Sequence, residues 1–149
     1  MNKFFRLVAS GFGSGDLPKI PGTWGSLAYI LLWAIWTKFL GLNELTLLFI
    51  VTALGVIAVA KVLAASPQEG KNDPGFVVID EWIGMGIALW ALPIDPWFTI
   101  PTAFVVFRLL DGFKPGPIRM AEKLPGSIGV IGDDVLAGLI TNFLIKAFL

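Results

Sequence analysis

Between Trp24 and Ala65 the only charged residues are Lys38, Glu44 and Lys61. The stretches Trp24 to Leu42 and Leu45 to Ala65 each approach the roughly 20 apolar residues that an α-helix needs to cross the hydrocarbon of a bilayer. In that solvent every backbone N–H and C=O must be satisfied internally, so open strands are excluded and helices are expected. Three further stretches follow. Pro74 to Leu92 carries Asp80 and Glu81, Trp97 to Phe113 carries Arg108 and Asp111, and Gly126 to Phe148 carries Asp133 and Asp134 in its first half. Pro93 to Pro96 (PIDP) reads as a turn between two of them. The expected fold is all-α: residues 1–149 form a single domain, a multi-pass membrane bundle of about four to five apolar helices with Gly/Pro-rich cytoplasmic loops. The fifth stretch could be a shorter helix that stops inside the bilayer. The first is not a cleavable signal peptide, because Lys3 and Arg6 are followed by a Gly/Pro-rich loop instead of an apolar core.

Composition supports lipid as a solvent. Charged residues make up 15% of the chain and hydrophobic residues 56%, against about 25% charged in an ordinary soluble domain. The formal net charge is zero, which gives no electrostatic footprint for nucleic acid. Cysteine and histidine are both absent. Disulfides, thiolate metal sites, cysteine nucleophiles and phosphohistidine chemistry are therefore excluded. Any catalysis must rest on carboxylates, hydroxyls, amines, guanidinium groups or a metal held by oxygen.

Orientation follows from the basic residues. If each stretch crosses once, Lys3, Arg6, Lys19, Lys61, Lys71, Arg108, Lys114, Arg119 and Lys123 share one face, and only Lys38 and Lys146 lie on the other. The positive-inside rule makes the shared face cytoplasmic. Most acids and the three Gly/Pro-rich segments, GFGSGDLPKIPGTWGS, PQEGKNDPG and KPGP, fall on that face too.

Four segments there can carry chemistry. Asp133 and Asp134 either cap a re-entering helix or bind a cation. Asp80 and Glu81 begin a similar segment, and Gly84 and Gly138 follow Asp80 and Asp134 at the same four-residue spacing. Small residues at that spacing let helices approach closely, so two acidic helix ends can meet. Such a cluster repels itself unless it is neutralised by salt bridges to Arg108 and Lys114 or by a cation. Mg²⁺ suits it, since that ion takes oxygen ligands and typically binds one or two carboxylates plus a substrate phosphate. Asp80, Glu81, Asp133 and Asp134 are the candidate ligands. Arg108 and Asp111 share a helical face and can pair with each other. Lys114 stands before a Pro-Gly-Pro turn with few helical partners and is a candidate anion contact. Gly11 to Ser26 leads into the first apolar helix with Pro21 at its start and Ser14, Thr23 and Ser26 as hydroxyls. It is either a phosphate cradle or a flexible interfacial loop. It lacks the GK[ST] of a P-loop and is not a GxGxxG fingerprint.

The blocks GFGSGDLPKIPGTWGSL (11–27), DEWIGM (80–85), FRLLDGFKPGPIR (107–119) and GDDVLAG (132–138) resemble those of the phosphatidylglycerophosphatase A family of bacterial lipid phosphatases, in order and spacing over almost the whole chain. The resemblance implies Mg²⁺-dependent hydrolysis of the terminal phosphate monoester of phosphatidylglycerophosphate, giving phosphatidylglycerol and inorganic phosphate. It also implies a multi-pass protein of the bacterial inner membrane with its site facing the cytoplasm. On this reading the catalytic carboxylates come from Asp80, Glu81, Asp111, Asp133 and Asp134, and Ser14, Thr23, Ser26, Arg108 and Lys114 bind the phospholipid. Glu81, Asp134 and one of Asp80 or Asp133 hold the metal, and Asp111 is an alternative base or the partner that orients Arg108. A CDP-alcohol phosphotransferase is disfavoured, since the arginine spacing and the aspartates before DG are missing. The alternative of another class is a small membrane transporter or assembly factor with a cation-binding acidic cluster. The sequence leaves oligomeric state open.

Overall fold

The computed structural model describes residues 2–65, 74–92 and 97–148. The expected turn at Pro93 to Pro96 and most of the loop after Ala65 lie outside them. Among the described residues all regular structure is helical. There are seven α-helices: α1 (Lys3–Ala9), α2 (Pro21–Ala34), α3 (Glu44–Ala65), α4 (Ile79–Leu89), α5 (Thr99–Phe113), α6 (Pro117–Glu122) and α7 (Ser127–Phe148). A short 3₁₀ turn at Ser14–Asp16 precedes α2, and a π-helical turn at Ile35–Phe39 ends it.

Two of the five apolar stretches form helices long and apolar enough to cross a membrane, α3 and α7. Each has 22 residues, about 33 Å at 1.5 Å per residue. The third stretch is the surprise. Its helix, α4, has only 11 residues, about 16 Å, and covers roughly half of a hydrocarbon core. The fifth stretch, α7, is long enough to span, and the shortest of the five helices is the third. Asp80 and Glu81 open α4 and do not interrupt it. α1 and α6 are short helices within segments expected to be loop.

α4 is central. Nine of its eleven residues are buried, and it packs against α2, α3, α5 and α7. A helix buried nearly all round needs apolar or small residues on every face, and IDEWIGMGIAL supplies them after its first three positions. Against α7 it runs parallel and in register. Asp80 meets Asp134, Gly84 meets Gly138, and Ala88 accepts a hydrogen bond from Asn142 Nδ2 at 3.2 Å. Each pair is 54 residues apart. Glycine makes the crossing close: a Cβ on Gly138 would collide with the Gly84 carbonyl oxygen, and one on Gly84 would lie 2.6 Å from the Asp134 carbonyl oxygen.

The C-terminal end of α4 is tied. Asn142 Nδ2 also donates to Trp90 O at 2.7 Å, and Ala91 N–H donates to Glu44 Oε1 at 3.0 Å. These bonds satisfy backbone groups that a helix end otherwise leaves orphaned. The contact between Ala91 and Glu44, with Gly55 packed on Ile79 and Ile83, sets α3 antiparallel to α4. Phe107 against Gly84 and Arg108 beside Glu81 set α5 antiparallel as well. Gly22 beside Glu81 and the Tyr29 hydroxyl against Gly86 set α2 parallel. One end of the bundle therefore gathers the starts of α2, α4 and α7 and the ends of α3 and α5.

The outer faces are apolar. Phe49 of α3 is 75% exposed and Phe143 of α7 70%, and Leu31, Leu54, Ile57, Val105 and Leu139 are exposed beside them. Exposed apolar area of this extent marks contact with something other than water, and with α3 and α7 it describes a membrane-associated protein.

Candidate active site

Asp80 and Glu81 stand in the first turn of α4, where a helix terminus favours negative charge. Glu81 N–H donates to Asp80 Oδ1 at 3.1 Å. Asp134 enters from the second turn of α7. One carboxylate oxygen each from Asp80, Glu81 and Asp134 lies within 4.8 Å of the others. Asp80 and Asp134 are buried. Asp133 and Asp134 do not cap α7, since the helix begins at Ser127.

Asp133, a candidate ligand by sequence, is turned elsewhere. Its Oδ2 accepts from Lys114 Nζ at 2.7 Å. Lys114 also donates to Glu122 Oε1 at 2.8 Å. Burial works against the charge of Lys114, but its hydrogen bonds to Asp133 and Glu122 outweigh that and hold its pKa above the ordinary lysine range. Arg108 pairs with Asp111 at 2.7 Å, one of the two expectations for it, and its Nη1 lies 3.9 Å from Glu81 Oε1. Asp111 is within electrostatic reach of Arg108, Lys114, Asp133 and Asp134. All five acidic candidates and both basic ones thus meet at one end of the bundle.

The hydroxyls behave differently. Ser14 Oγ donates to Gly11 O at 2.9 Å and to Ser10 O at 3.3 Å, and the buried Ser26 Oγ donates to Gly22 O at 2.9 Å. Both are engaged within their own turns. Thr23 is half-buried in the first turn of α2. The segment 11–26 is pinned in place: Arg6 holds Asp16 at 2.6 Å, Val78 N–H donates to Ala9 O at 2.9 Å, and Trp82 lies with ring centroids 6.0 Å from both Phe12 and Tyr29. Its contribution to the site is Gly22. A Cβ there would collide with Glu81 Oε1 and lie 2.9 Å from Arg108 Nη2. The start of α2, which has no side-chain cap, lies directly against the cluster, and a side chain at Gly22 would have to push the Glu81 and Arg108 side-chain ends aside.

Three carboxylate oxygens at this end, Glu81 Oε2, Asp133 Oδ1 and Asp134 Oδ1, are buried without a hydrogen-bond partner. Buried polar atoms are normally paired. Unpartnered oxygens in a cluster of hard oxygen donors fit a divalent cation such as Mg²⁺.

Comparison with known proteins decides the class. The phosphatidylglycerophosphatase A family model matches residues 7–149. The chain belongs to the phosphatidylglycerophosphatase A family. A relative of that name from Escherichia coli (strain K12) is 42% identical over 143 residues, covering 95% of this chain and 81% of its own. One from Haemophilus influenzae is 40% identical over 136 residues, covering 90% and 82%. A Bacteroides thetaiotaomicron protein, 41% identical over 145 residues and covering 93% and 89%, carries a name that assigns it provisionally as a phosphatidylinositol-3-phosphatase. No solved structure matches the chain. As a member of the phosphatidylglycerophosphatase A family the chain is a phosphatase, and the enzyme reading stands over the transporter or assembly-factor alternative. The four sequence blocks are the segments that build the site. Glu122, the second partner of Lys114, lies in none of them and was not among the candidates. No local period links it to Lys114 across the Pro-Gly-Pro turn. Asn142 did carry a signal, since it continues the four-residue spacing of Asp134 and Gly138.

Proposed function

We propose that the protein hydrolyses the terminal phosphate monoester of phosphatidylglycerophosphate, with Mg²⁺, at the cytoplasmic surface of a bacterial inner membrane that it crosses several times. The observation that carries this is the meeting of Asp80, Glu81 and Asp134 within 4.8 Å, with unpartnered buried oxygens, in a chain of this family. Asp80, Glu81 and Asp134 hold the cation. When bound, Mg²⁺ supplies Lewis-acid polarisation and charge neutralisation at the phosphoryl oxygens.

The chain's own groups do the rest. Arg108 and Lys114 bind the phosphate oxygens, and the start of α2 at Gly22 and Thr23 brings a helix N-terminus to the same anion. Asp111 takes the proton of the attacking water. The water oxygen bonds to phosphorus as the bond from phosphorus to the glycerol oxygen breaks, and the proton held by Asp111 passes to that leaving oxygen as phosphatidylglycerol departs. The exposed apolar flanks keep the acyl chains in lipid while the phosphate reaches the charged end of the bundle. The name of the Bacteroides relative favours one second reading, a phosphoinositide monoester on the same machinery.

Phosphate release from both lipids in mixed micelles, with Mg²⁺ and with EDTA, tests the proposal. Release from phosphatidylglycerophosphate that stops in EDTA and in Asp134→Asn is the expected result. Equal release in EDTA would remove the metal. Preference for phosphatidylinositol 3-phosphate would replace the substrate.

A further inference from the structure

Lys114 occupies a backbone position that favours glycine. Its φ is 45°, and it ends α5 with a hydrogen bond from its N–H to Leu110 O at 2.8 Å. Glycine takes that left-handed cap at no steric cost, whereas another L-residue is strained there. Pro115 follows, and Pro117 starts α6. Backbone strain of this kind persists where the surroundings demand a particular side chain, and here the side chain is an ammonium held by two carboxylates.

Those carboxylates are unlike each other. The side chain of Asp133 is 7% exposed and fixed in α7, whereas that of Glu122 is 50% exposed at the last position of α6. Lys114 itself is 27% exposed. One ammonium facing two carboxylates is a net negative group, and a phosphate approaching it is repelled. Lys114 can serve an anion only after one carboxylate leaves. Asp133 is almost closed off from water, whereas Glu122 opens to it, so the Glu122 pair is the one more readily broken.

We infer that Glu122 is a positioning residue that stands in for the substrate phosphate, holding Lys114 in place until the phosphate displaces it. This rests on the proposed role of Lys114 at the phosphate. Asp133 keeps the ammonium aimed throughout, and the freed Glu122 turns to solvent without moving the cluster of Asp80, Glu81 and Asp134. Glu122 therefore competes with every anion that binds Lys114 and takes no part in the bond-breaking step.

The test is steady-state kinetics on phosphatidylglycerophosphate in mixed micelles, with inorganic phosphate as the competing anion. Glu122→Gln, and Glu122→Ala deleting the same charge, are expected to lower KM and the inhibition constant for inorganic phosphate about two- to fivefold, with kcat unchanged. Lys114→Gln is expected to raise both constants and to abolish the gain in the double variant. If the Glu122 variants leave both constants unchanged or raise them while Lys114→Gln weakens binding, Glu122 is a structural partner only and the inference is overturned. If Lys114→Gln changes neither constant, the role of Lys114 at the phosphate fails and the inference falls with it.

Discussion

At the scale of single residues, Asp133 and Asp134 are neighbours in sequence with different partners. Asp134 joins Asp80 and Glu81, and Asp133 holds Lys114. Asp134→Asn and Glu81→Gln should each lower phosphate release by at least about 10³-fold, because they remove charge at the reacting centre. Neither should lower the melting temperature, since each removes a member of a self-repelling cluster. Asp133→Asn should keep a measurable rate, and an Asp133→Asn enzyme as inactive as Asp134→Asn would sink this division of labour. Lys114 makes a second prediction. Its pKa lies above the ordinary lysine value, so its pairing stabilises the fold fully below about pH 10.4 and is lost only as pH climbs through the raised value. Lys114→Met should therefore lower the melting temperature by the same amount at pH 6 and at pH 9. A deficit that shrinks between those two pH values would mean that the pairing is weaker than the geometry indicates. The sequence identified every one of these charged residues, because few charges stand in so apolar a chain. It did not show which carboxylate meets which cation. Asp133 and Asp134 differ by about 100° of helix rotation, and only the packing of α7 decides the direction of each.

At the scale of helices, the site is an outcome of how α4 meets α7. Four-residue spacing after Asp80 and Asp134 was legible, and the glycines do allow the close crossing that it suggested. Gly138→Ala should push α7 away from the Gly84 carbonyl, separate Asp134 from Asp80 and Glu81, and cut the rate about 10²-fold or more, as misplacement of about 1 Å can do. Circular dichroism should show unchanged helix content. A fully active Gly138→Ala enzyme would mean that the two helices can part without cost to the site. The length of α4 was not legible. Hydropathy marks where a segment is apolar, and Pro74 to Leu92 is apolar well beyond the 11 residues that are helical. The stop after Leu89 depends on Asn142 and Glu44, which lie far away in sequence and bind the chain beyond the end of α4. α1 and α6 were missed for a related reason, since each is only one or two turns long and gives too short a period to read.

At the scale of the molecule, the proposed reading puts the chemistry at a membrane surface, supported by the charged end of the bundle and its apolar flanks. The absence of cysteine makes this directly measurable. A single thiol introduced as Arg119→Cys should react with an impermeant reagent only from the cytoplasmic side, and one introduced as Lys38→Cys only from the opposite side. Labelling of both from one side would refute the proposed topology. The tethering of α4 has a mechanical consequence. The helix acts as a lever about 16 Å long, fastened through Asn142 and Glu44 at the end away from the carboxylates. A tilt of a few degrees about that fastening moves Asp80 and Glu81 by on the order of 1 Å, enough to change the rate markedly. If α7 crosses the bilayer as proposed, bilayer thickness acts on the site through the tilt of that helix, which carries both the fastening and Asp134. In vesicles of graded acyl-chain length the rate should peak at one thickness and fall on either side, and a flat profile would show that the lever is too stiff to feel the membrane.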